Sequence, residues 1–276
     1  MPVRFELRGV EYPGQPRSIW QFGEPDCPLR LAEAPKGVGG APIVHVRQAN
    51  ARQAGATWRG SNRDINLITL TVRLGPVEPG EVALDLWNTW RDSLGDGQAL
   101  AEFHVISPGG GDRFQYVRRE NQIPDPSFDL LNDVGWCTET AVLGSDESWW
   151  NGATVNPPTY TPDTFAGRTI HNDGDVAAWV FYKLTGPGRY SIGVDGETQT
   201  LPTIPAGETW TVETNPEYPH IHNGAGLDVW EQAGNVGWYK SVPAKSTVAL
   251  NISGTATSEA SRIEVWMPQK YERAAA

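Results

Sequence analysis

The sequence predicts a mainly β protein, in which a β-rich unit with one helix is followed by an all-β sandwich. Its 276 residues include 30 Gly and 22 Pro, which supply many turns. Twelve Trp against two Met favour strands over a helical bundle. The length allows two domains with separate cores. We therefore predict an N-terminal β domain over 1–125, a connecting segment over 126–165 and a C-terminal β-sandwich over 166–272.

The N-terminal domain is expected to contain several strands. Residues 4–10 alternate apolar and charged side chains, which is typical of a strand. The stretch PIVHVRQA predicts a second short strand. The strongest strand signal is at 64–75, where Ile68 and Leu70 fall on the same face. The Pro/Gly-rich segment 11–40 is expected to be a long ordered loop or arm.

A change of period then predicts the single helix of this domain, over 81–94. Val82, Leu86 and Trp90 recur at four-residue steps, after a Pro-Gly start and before Gly-Asp-Gly. Residues 99–119 follow as two strands joined by a glycine hairpin. The glycines of SPGGGDR do not predict a phosphate cradle, because such a cradle needs a following helix.

From residue 166 onward every predicted element is a strand. Turn signals such as DGD, GPG and PAGE separate short apolar or alternating stretches, which is typical of a β-sandwich. These stretches are AGRTIHN, VAAWVFYKL, RYSIGV, ETQTLPTI, TWTVET, NVGWYKSV, STVALNIS and SRIEVWMP.

Charge is distributed unevenly along the chain. Residues 1–120 hold 14 Lys+Arg and 14 Asp+Glu, whereas residues 121–276 hold 8 and 19, which accounts for the net −11. An acidic half of this kind repels nucleic acid phosphates. No apolar run reaches the ~18 residues that span a bilayer, so we expect no membrane insertion. A charged N-terminus and two widely spaced cysteines, Cys27 and Cys137, favour a cytoplasmic chain with reduced thiols.

The motifs of known catalytic and metal sites are mostly missing. His220 and His222 have the spacing of strand-borne ligands, but a solvated pair is favoured over zinc. The HNDGD stretch lacks the late Glu of a calcium loop, so it is interpreted as a tight corner. Acidic residues such as Glu139, Asp146 and Glu147 suggest a glycan hydrolase only weakly, because a catalytic pair depends on a separation that sequence does not show. We predict no enzyme activity, no metal and no cofactor.

Tryptophans are the candidate ligand-contacting residues, since an exposed indole can stack on a sugar ring. Trp179 and Trp210 lie inside predicted strands and are expected to be buried. Four tryptophans nearer to predicted loops are candidates for a glycan or partner contact: Trp149, Trp150, Trp230 and Trp238.

Two motifs of the C-terminal half resemble the C-terminal domain of siphovirus distal tail proteins. In that family an Asn-x-Gly-Asp corner leads into an apolar strand ending in Gly-Pro, and a later glycine turn precedes a strand closing in Asp-Thr. The matching residues are Asn172, Gly174, Asp175, Gly186, Pro187 and Gly207. Two positions depart from the pattern, since Glu213 replaces the usual Asp and Trp179 stands where Pro or a small residue is common.

The N-terminal half is similar to the family in layout. The stretch GSNRDINLITLTVRLGP resembles the family's first-domain strand. The following LWNTWRDSLGDGQALAEFHVISPGGGDRFQYVRR resembles its helix–hairpin segment, in the form seen in phages of Gram-positive actinobacteria.

This resemblance implies a structural virion protein of a long non-contractile tail, without catalytic residues. The N-terminal domain is then a split-barrel-like β domain with one helix, and the C-terminal domain is a galectin-like β-sandwich. Six copies are expected to form a ring at the virion tail tip after assembly in the host cytoplasm. Expected partners are other copies of the chain, the tail tube protein, the tape measure protein and tail-tip or receptor-binding proteins, and DNA passes through the ring without sequence-specific binding.

Within this picture, segment 11–40 would reach a neighbouring subunit, and the charge split would separate a neutral ring half from an acidic outer half. Two alternatives stay open at this stage. One is a carbohydrate-binding module that recognises glycans of the host envelope through exposed tryptophans, and the less favoured one is a glycan hydrolase.

Overall fold

A computed structural model describes residues 2–234 and 236–276. The chain divides into two compact units, the first formed by residues up to Asn151 together with Glu272–Ala276, and the second by Gly152–Tyr271. Strands account for 43% of the structure and helices for 8%, which confirms the predicted mainly β fold.

The first unit is built around one antiparallel sheet. Its strands are β1 Arg4–Arg8, β2 Ile19–Phe22, β3 Leu29–Leu31, β4 Ile43–Gln48, β5 Thr57–Arg63, β6 Asn66–Leu74, β7 Ala101–Ser107, β8 Gly111–Arg119, β9 Cys137–Ser145 and β10 Trp150–Asn151. The sheet order is β2-β1-β7-β8-β9-β6-β3, β10 pairs with β8, and β4 and β5 form a separate two-stranded hairpin. The long sheet curls into a nearly closed barrel-like form.

Two helices belong to the described part of this unit. Helix α1 spans Glu81–Leu94, as predicted, and a short helix α2 spans Phe128–Asp133. Trp90 on α1 is fully buried and makes edge-to-face contacts with Trp20 and Phe22, whose rings lie 6.3 and 6.2 Å away. Of the three residues whose spacing predicted the helix, Trp90 is buried, Leu86 is half-buried and Val82 is exposed. The helix is confirmed, but its buried face is not the predicted one, because it includes Ala83 and Leu94 instead of Val82.

A buried carboxylate fixes α1 on the sheet. Glu139 of β9 is only 5% exposed, and it accepts hydrogen bonds from the indoles of Trp87 at 2.7 Å and Trp90 at 3.1 Å. The Arg91 guanidinium binds the same carboxylate, with Nη2 at 2.9 Å from Oε1. Such a buried charge is tolerated because each of its oxygens is hydrogen-bonded.

Two segments of the first unit differ from the prediction. Segment 11–40 was predicted to be a loop or arm, but its strands β2 and β3 pair with β1 and β6. Segment 126–165 was predicted to connect the domains, yet it supplies β9, which pairs with β6 from Asn66↔Ser145 to Leu74↔Cys137. Both segments therefore complete the first sheet by pairings between residues far apart in sequence.

This assignment also changes the charge of each unit. The first unit carries 15 Lys+Arg and 21 Asp+Glu, a net of −6, and the second carries 7 and 12, a net of −5. The predicted contrast between a neutral and an acidic half is therefore wrong, because the acidic residues of 121–151 belong to the first unit.

The second unit is a β-sandwich. Its strands are β11 Arg168–Asn172, β12 Phe181–Thr185, β13 Gly188–Val194, β14 Gln199–Ile204, β15 Thr209–Glu213, β16 His220–Asn223, β17 Ser246–Thr255, β18 Arg262–Trp266 and β19 Lys270–Tyr271. One sheet has the order β11-β17-β13-β14 and the other β16-β15-β12-β18, with antiparallel neighbours throughout. Alternating residues of both sheets form one apolar core, including Trp210, which is buried as predicted.

Three local predictions in the second unit need correction. The stretch NVGWYKSV forms no strand in its described residues, and its Val242 makes only an isolated bridge with Ala178. Strand β16, in contrast, was not predicted as a separate strand, because HIHN has one apolar residue. Trp179 was expected to be buried inside a strand, but it is half-buried and precedes β12.

Candidate functional site

The Asn-Asp-Gly-Asp motif forms a rigid corner in the second unit. Asn172 is fully buried, and its amide nitrogen donates to the carbonyls of Val176 at 2.8 Å and Val242 at 3.0 Å. Its side-chain oxygen accepts a hydrogen bond from the Gly174 N–H at 2.8 Å. A Cβ at Gly174 would lie 2.8 Å from the Lys270 carbonyl oxygen, closer than packing allows. Glycine and asparagine are therefore required by the backbone of this corner.

The charges at the corner are paired with one another. Lys245 Nζ lies 3.0 Å from the Asp175 carboxylate and donates to the Asp173 carbonyl at 2.5 Å. His171 lies 2.9 Å from the Asp173 carboxylate. The corner therefore closes on itself, and its two aspartates do not converge on an open cation site.

Gly186, Pro187 and Gly207 shape the next two turns. A Cβ on Gly186 would overlap the Pro205 carbonyl, and the Gly186 N–H donates to the backbone carbonyl of Glu208 at 2.9 Å. Gly207 has a φ of +82°, a conformation that favours glycine. The motif residues thus hold the turns of the sandwich.

One departure from the family pattern, Glu213, lies next to Thr214, which keeps the pattern. The Thr214 hydroxyl donates to the buried carbonyl of Val180 at 2.7 Å, so the threonine fastens the end of β15. Burial raises the pKa of Glu213, while the nearby His220 opposes that rise. Glu213 therefore occupies a position where a carboxylate is partly desolvated.

Two of the candidate tryptophans are buried. Trp150 is 0% exposed and Trp238 is 2% exposed, and the Trp238 indole donates to the Ile192 carbonyl at 3.0 Å. Neither ring is accessible to a sugar or a partner, so the predicted ligand contact is wrong for both residues. The prediction assumed that a tryptophan near a loop is exposed, but an indole next to a loop can still point into the core.

The other two candidates are partly accessible. The guanidinium of Arg63 lies 4.3 Å from the Trp149 ring centroid, in a cation–π contact. Trp230 is half-buried and packs against the core of the second unit. A ligand or partner contact through Trp149 or Trp230 remains a prediction.

The residues considered for metal or hydrolytic chemistry have local partners, and Asn151 donates to the Glu147 carboxylate at 2.6 Å. His220 and His222 stack on β16 with ring centroids 5.5 Å apart, and the described residues contain no group of three or more possible metal ligands. Glu139 is buried under α1, as described above. Asp146 instead pairs with Arg118, at 2.5 Å.

A charged network on the first sheet was not predicted. His104 of β7 is 2% exposed and lies between the carboxylates of Asp112 at 2.8 Å and Glu102 at 3.1 Å. Burial tends to raise the pKa of Glu102, but hydrogen bonds from His104 and Arg17 lower it overall. The charged groups of this network bind one another, and a satisfied network of this kind makes this face of the sheet more rigid.

The most unusual surface is the β4–β5 hairpin. Every residue of β4 is exposed, including Ile43 at 50% and Val46 at 47%, and Trp58 of β5 is 60% exposed. The sequence predicted β4 but not β5, since TWRGSNR is mostly polar. An isolated two-stranded hairpin is marginal in water, and this one leaves aliphatic and indole surface exposed.

Comparison with solved structures shows that this fold is known. The chain resembles the SPP1 Dit protein, described as a paradigm of the hub adsorption apparatus in phages infecting Gram-positive bacteria, with a TM-score of 0.65 and 13% identity over 96% of this chain and 98% of that one. It also resembles chains of the phage P2 baseplate in its activated conformation with Ca and with Sr, with TM-scores of 0.61 and 0.59 and 8% identity in both, over 99% of this chain and 100% of theirs. No family model and no curated protein sequence matches the chain.

Proposed function

We propose that this chain is a structural virion protein, the distal tail hub adaptor of a long non-contractile phage tail. The observation that carries the proposal is a two-unit fold matching the SPP1 Dit protein over nearly the full length of both chains. The motif corner around Asn172 supports the same family independently, because Asn172, Gly174 and Asp175 match the family's Asn-x-Gly-Asp pattern in the sequence.

In this role six copies form a closed ring, and the ring joins the tail tube to the tail-tip or receptor-binding proteins. The exposed apolar hairpin of the first unit supports ring formation, since closed rings need extensive contacts between subunits. The tube, the tape measure protein and the tip proteins are the other proposed partners, at the tail tip of a virion assembled in the host cytoplasm.

Transit of DNA through the ring is part of the proposal. Passage requires that DNA is not held by the protein, and a net charge of −11 disfavours phosphate binding. The ring is proposed to act as a passive scaffold that places other proteins, without bond-making chemistry.

No described helix is both long and apolar enough to span a membrane.

Light scattering combined with negative-stain imaging tests the proposal. Six copies of a 30.2 kDa chain give a particle of about 180 kDa with a central hole. A protein that stays monomeric at high concentration, both alone and with tail tube protein added, would rule out the ring.

A second candidate function is glycan binding by the second unit, and one observation favours it. Tyr239 is 81% exposed on a loop whose backbone is held by the Glu197 carboxylate, with the N–H groups of Tyr239 and Lys240 at 3.0 and 2.9 Å. A rigidly presented aromatic ring is suited to stacking on sugars. Pull-down with host cell walls tests this function, and binding that survives Tyr239→Ala would exclude the tyrosine as its contact.

A further inference from the structure

The β4–β5 hairpin is strongly basic as well as apolar. Residues 41–63 contain four arginines and no acidic residue, in a chain whose net charge is −11. Arg47, Arg52 and Arg59 form no ion pair with any described residue. The hairpin therefore presents both unpaired positive charge and exposed aliphatic surface.

The base of the hairpin is fixed to the first unit. Arg63 binds the Glu272 carboxylate at 2.7 Å and covers the Trp149 ring, and the Asp64 N–H donates to the Pro42 carbonyl at 3.0 Å. Trp58 lies on the same face as His45, to which its indole donates at 3.3 Å. The hairpin is thus anchored at its base and free along both strands.

A second surface of the same unit has the opposite charge. Segments 76–85 and 125–134 contain six acidic residues and no Lys or Arg, and no ion pair to these acids occurs among the described residues. The acids are Glu78, Glu81, Asp85, Asp125, Asp129 and Asp133. Phe128 and Val134, 46% and 48% exposed, lie among them. We call this surface, made of the start of α1 together with α2, the acidic face.

The hairpin and the acidic face lie at opposite ends of the β6–β9 pair. Arg63 ends the hairpin just before Asn66, at the Asn66↔Ser145 end of the register. The acidic face adjoins the Leu74↔Cys137 end, where the Val77 N–H bonds to Gly135 and the Gly80 N–H bonds to Leu131. Nine residues of β6 separate the two surfaces by roughly 30 Å. They therefore meet most directly between two copies, as a head-to-tail contact, which is the type of contact that closes into rings.

We propose that the basic β4–β5 hairpin of one copy docks on the acidic α1–α2 face of the next copy. This inference rests on the proposed ring and names its contact. Arg47, Arg52 and Arg59 pair with the unpartnered acids, and Trp58 with the exposed β4 aliphatics covers Phe128 and Val134. Charge complementarity between two unpaired surfaces selects a second copy of the chain as the occupant.

Charge reversal in full-length protein tests this contact by sedimentation velocity. Arg47→Glu with Arg59→Glu is expected to weaken self-association by about 100-fold or more, because like charges then face each other. Glu81→Arg with Asp85→Arg is expected to do the same. Mixing the two variants, or combining all four substitutions in one chain, is expected to restore association.

Two controls separate the contact from general effects of charge or misfolding. Lys183→Glu with Arg189→Glu applies the same charge change on the second unit and is expected to leave association unchanged. Trp58→Ala removes apolar contact without altering charge and is expected to weaken association about 10-fold. Wild-type association is also expected to weaken as salt rises from 0.05 to 0.5 M, roughly as screening requires.

The outcomes for the contact and for the ring are distinguishable. If the hairpin variant with reversed charges still forms rings as the wild type does, the hairpin contact is overturned and the ring is left intact. Restored association in the mixture, with wild type forming open filaments in place of closed rings, supports the contact and overturns the ring. Mixed variants that never associate overturn the contact, as does a hairpin variant that loses only its binding to another tail protein.

Discussion

The two units differ sharply in how they present their surfaces. Among the described residues, the first unit has 14 large hydrophobic side chains that are exposed and the second has only three. Their net charges of −6 and −5 are nearly equal. In the first unit, however, unpaired charge is segregated into a basic hairpin and an acidic face, whereas at the corner of the second unit charges such as Lys245 and Asp175 pair locally. The two units therefore differ in exposed apolar surface and in how their charges are paired, although their net charges are similar.

The largest expected effect tests the interior of the first unit. Glu139→Ala is expected to lower its free energy of unfolding by about 3–5 kcal/mol, because Arg91 and two indoles lose a buried partner. Hydrogen exchange followed by mass spectrometry measures the change in each unit separately. Asp146→Ala removes an exposed ion pair of the same unit and is expected to cost about 1 kcal/mol or less. Equal effects of the two substitutions would contradict the role given to Glu139.

A comparable test of the second unit is Asn172→Ala. This substitution leaves the buried carbonyls at the corner without their donor and is expected to cost about 3 kcal/mol. The same exchange measurement should show the loss in the second unit only. The neighbouring Asp173 is exposed, so Asp173→Ala serves as the control and is expected to cost about 0.5 kcal/mol.

Cys137 gives the first unit a dependence on alkaline pH. Burial, with the nearby Glu139 carboxylate, raises the pKa of the Cys137 thiol to about 11, from an ordinary value of 9.0. The thiol therefore contributes stability that is fully present below pH 9.0 and is lost as pH rises towards 11. We expect a loss on the order of 2 kcal/mol across that window.

Denaturant unfolding between pH 8 and 11 measures this dependence. The variant Cys137→Ala is expected to show a smaller decline than the native protein, and some decline remains because burial also raises the pKa of Cys27 and of Tyr182. The variant Cys27→Ala is expected to retain most of the decline. In the native protein at pH 8 a thiol reagent should modify the half-buried Cys27 well before the buried Cys137. Equal rates of modification would show that Cys137 is accessible.

The smallest expected effect concerns the hairpin. Trp58→Ala is expected to change the unfolding free energy of the isolated subunit by under about 0.5 kcal/mol, because its ring is 60% exposed. The matched substitution Trp238→Ala, at a ring 2% exposed, is expected to cost about 3–5 kcal/mol. A large stability loss for Trp58→Ala would mean that the hairpin is part of the subunit core, which would weaken the contrast between the units.

Local elements were predictable where a pattern over a few residues is compatible with only one type of secondary structure. Helix α1 followed from the spacing of Leu86 and Trp90, and the β7–β8 hairpin followed from its glycines. The corner at Asn172 is predictable from its turn-forming Asn-Asp-Gly residues, and the structure leaves no room for a side chain at Gly174. The tryptophans were harder, since Trp150 and Trp238 have loop-like neighbours in sequence and buried rings in space.

Other features depended on partners distant in sequence. Residues 57–63 became a strand because β4 pairs with them, although their composition is polar. Nothing near Glu139 in the sequence indicates that α1 will cover it with two indoles and a guanidinium. The sequence does not indicate the candidate contact surface for the same reason, since its basic and acidic parts come from the separate segments 41–63, 76–85 and 125–134.

The sequence by itself determined the β-rich class, the single long helix, the turns and the tight corner, because these depend on propensities and steric rules acting over a few residues. Only the tertiary structure decided which unit owns residues 121–151, which carboxylates are buried, and which apolar side chains stay outside. Those outcomes arise from pairing between β6 and β9 and from packing of α1, where distant residues compete for the same partners. Which residues are buried and where charges gather depend on several such pairings at once. A pattern within one short segment of the sequence therefore does not predict them.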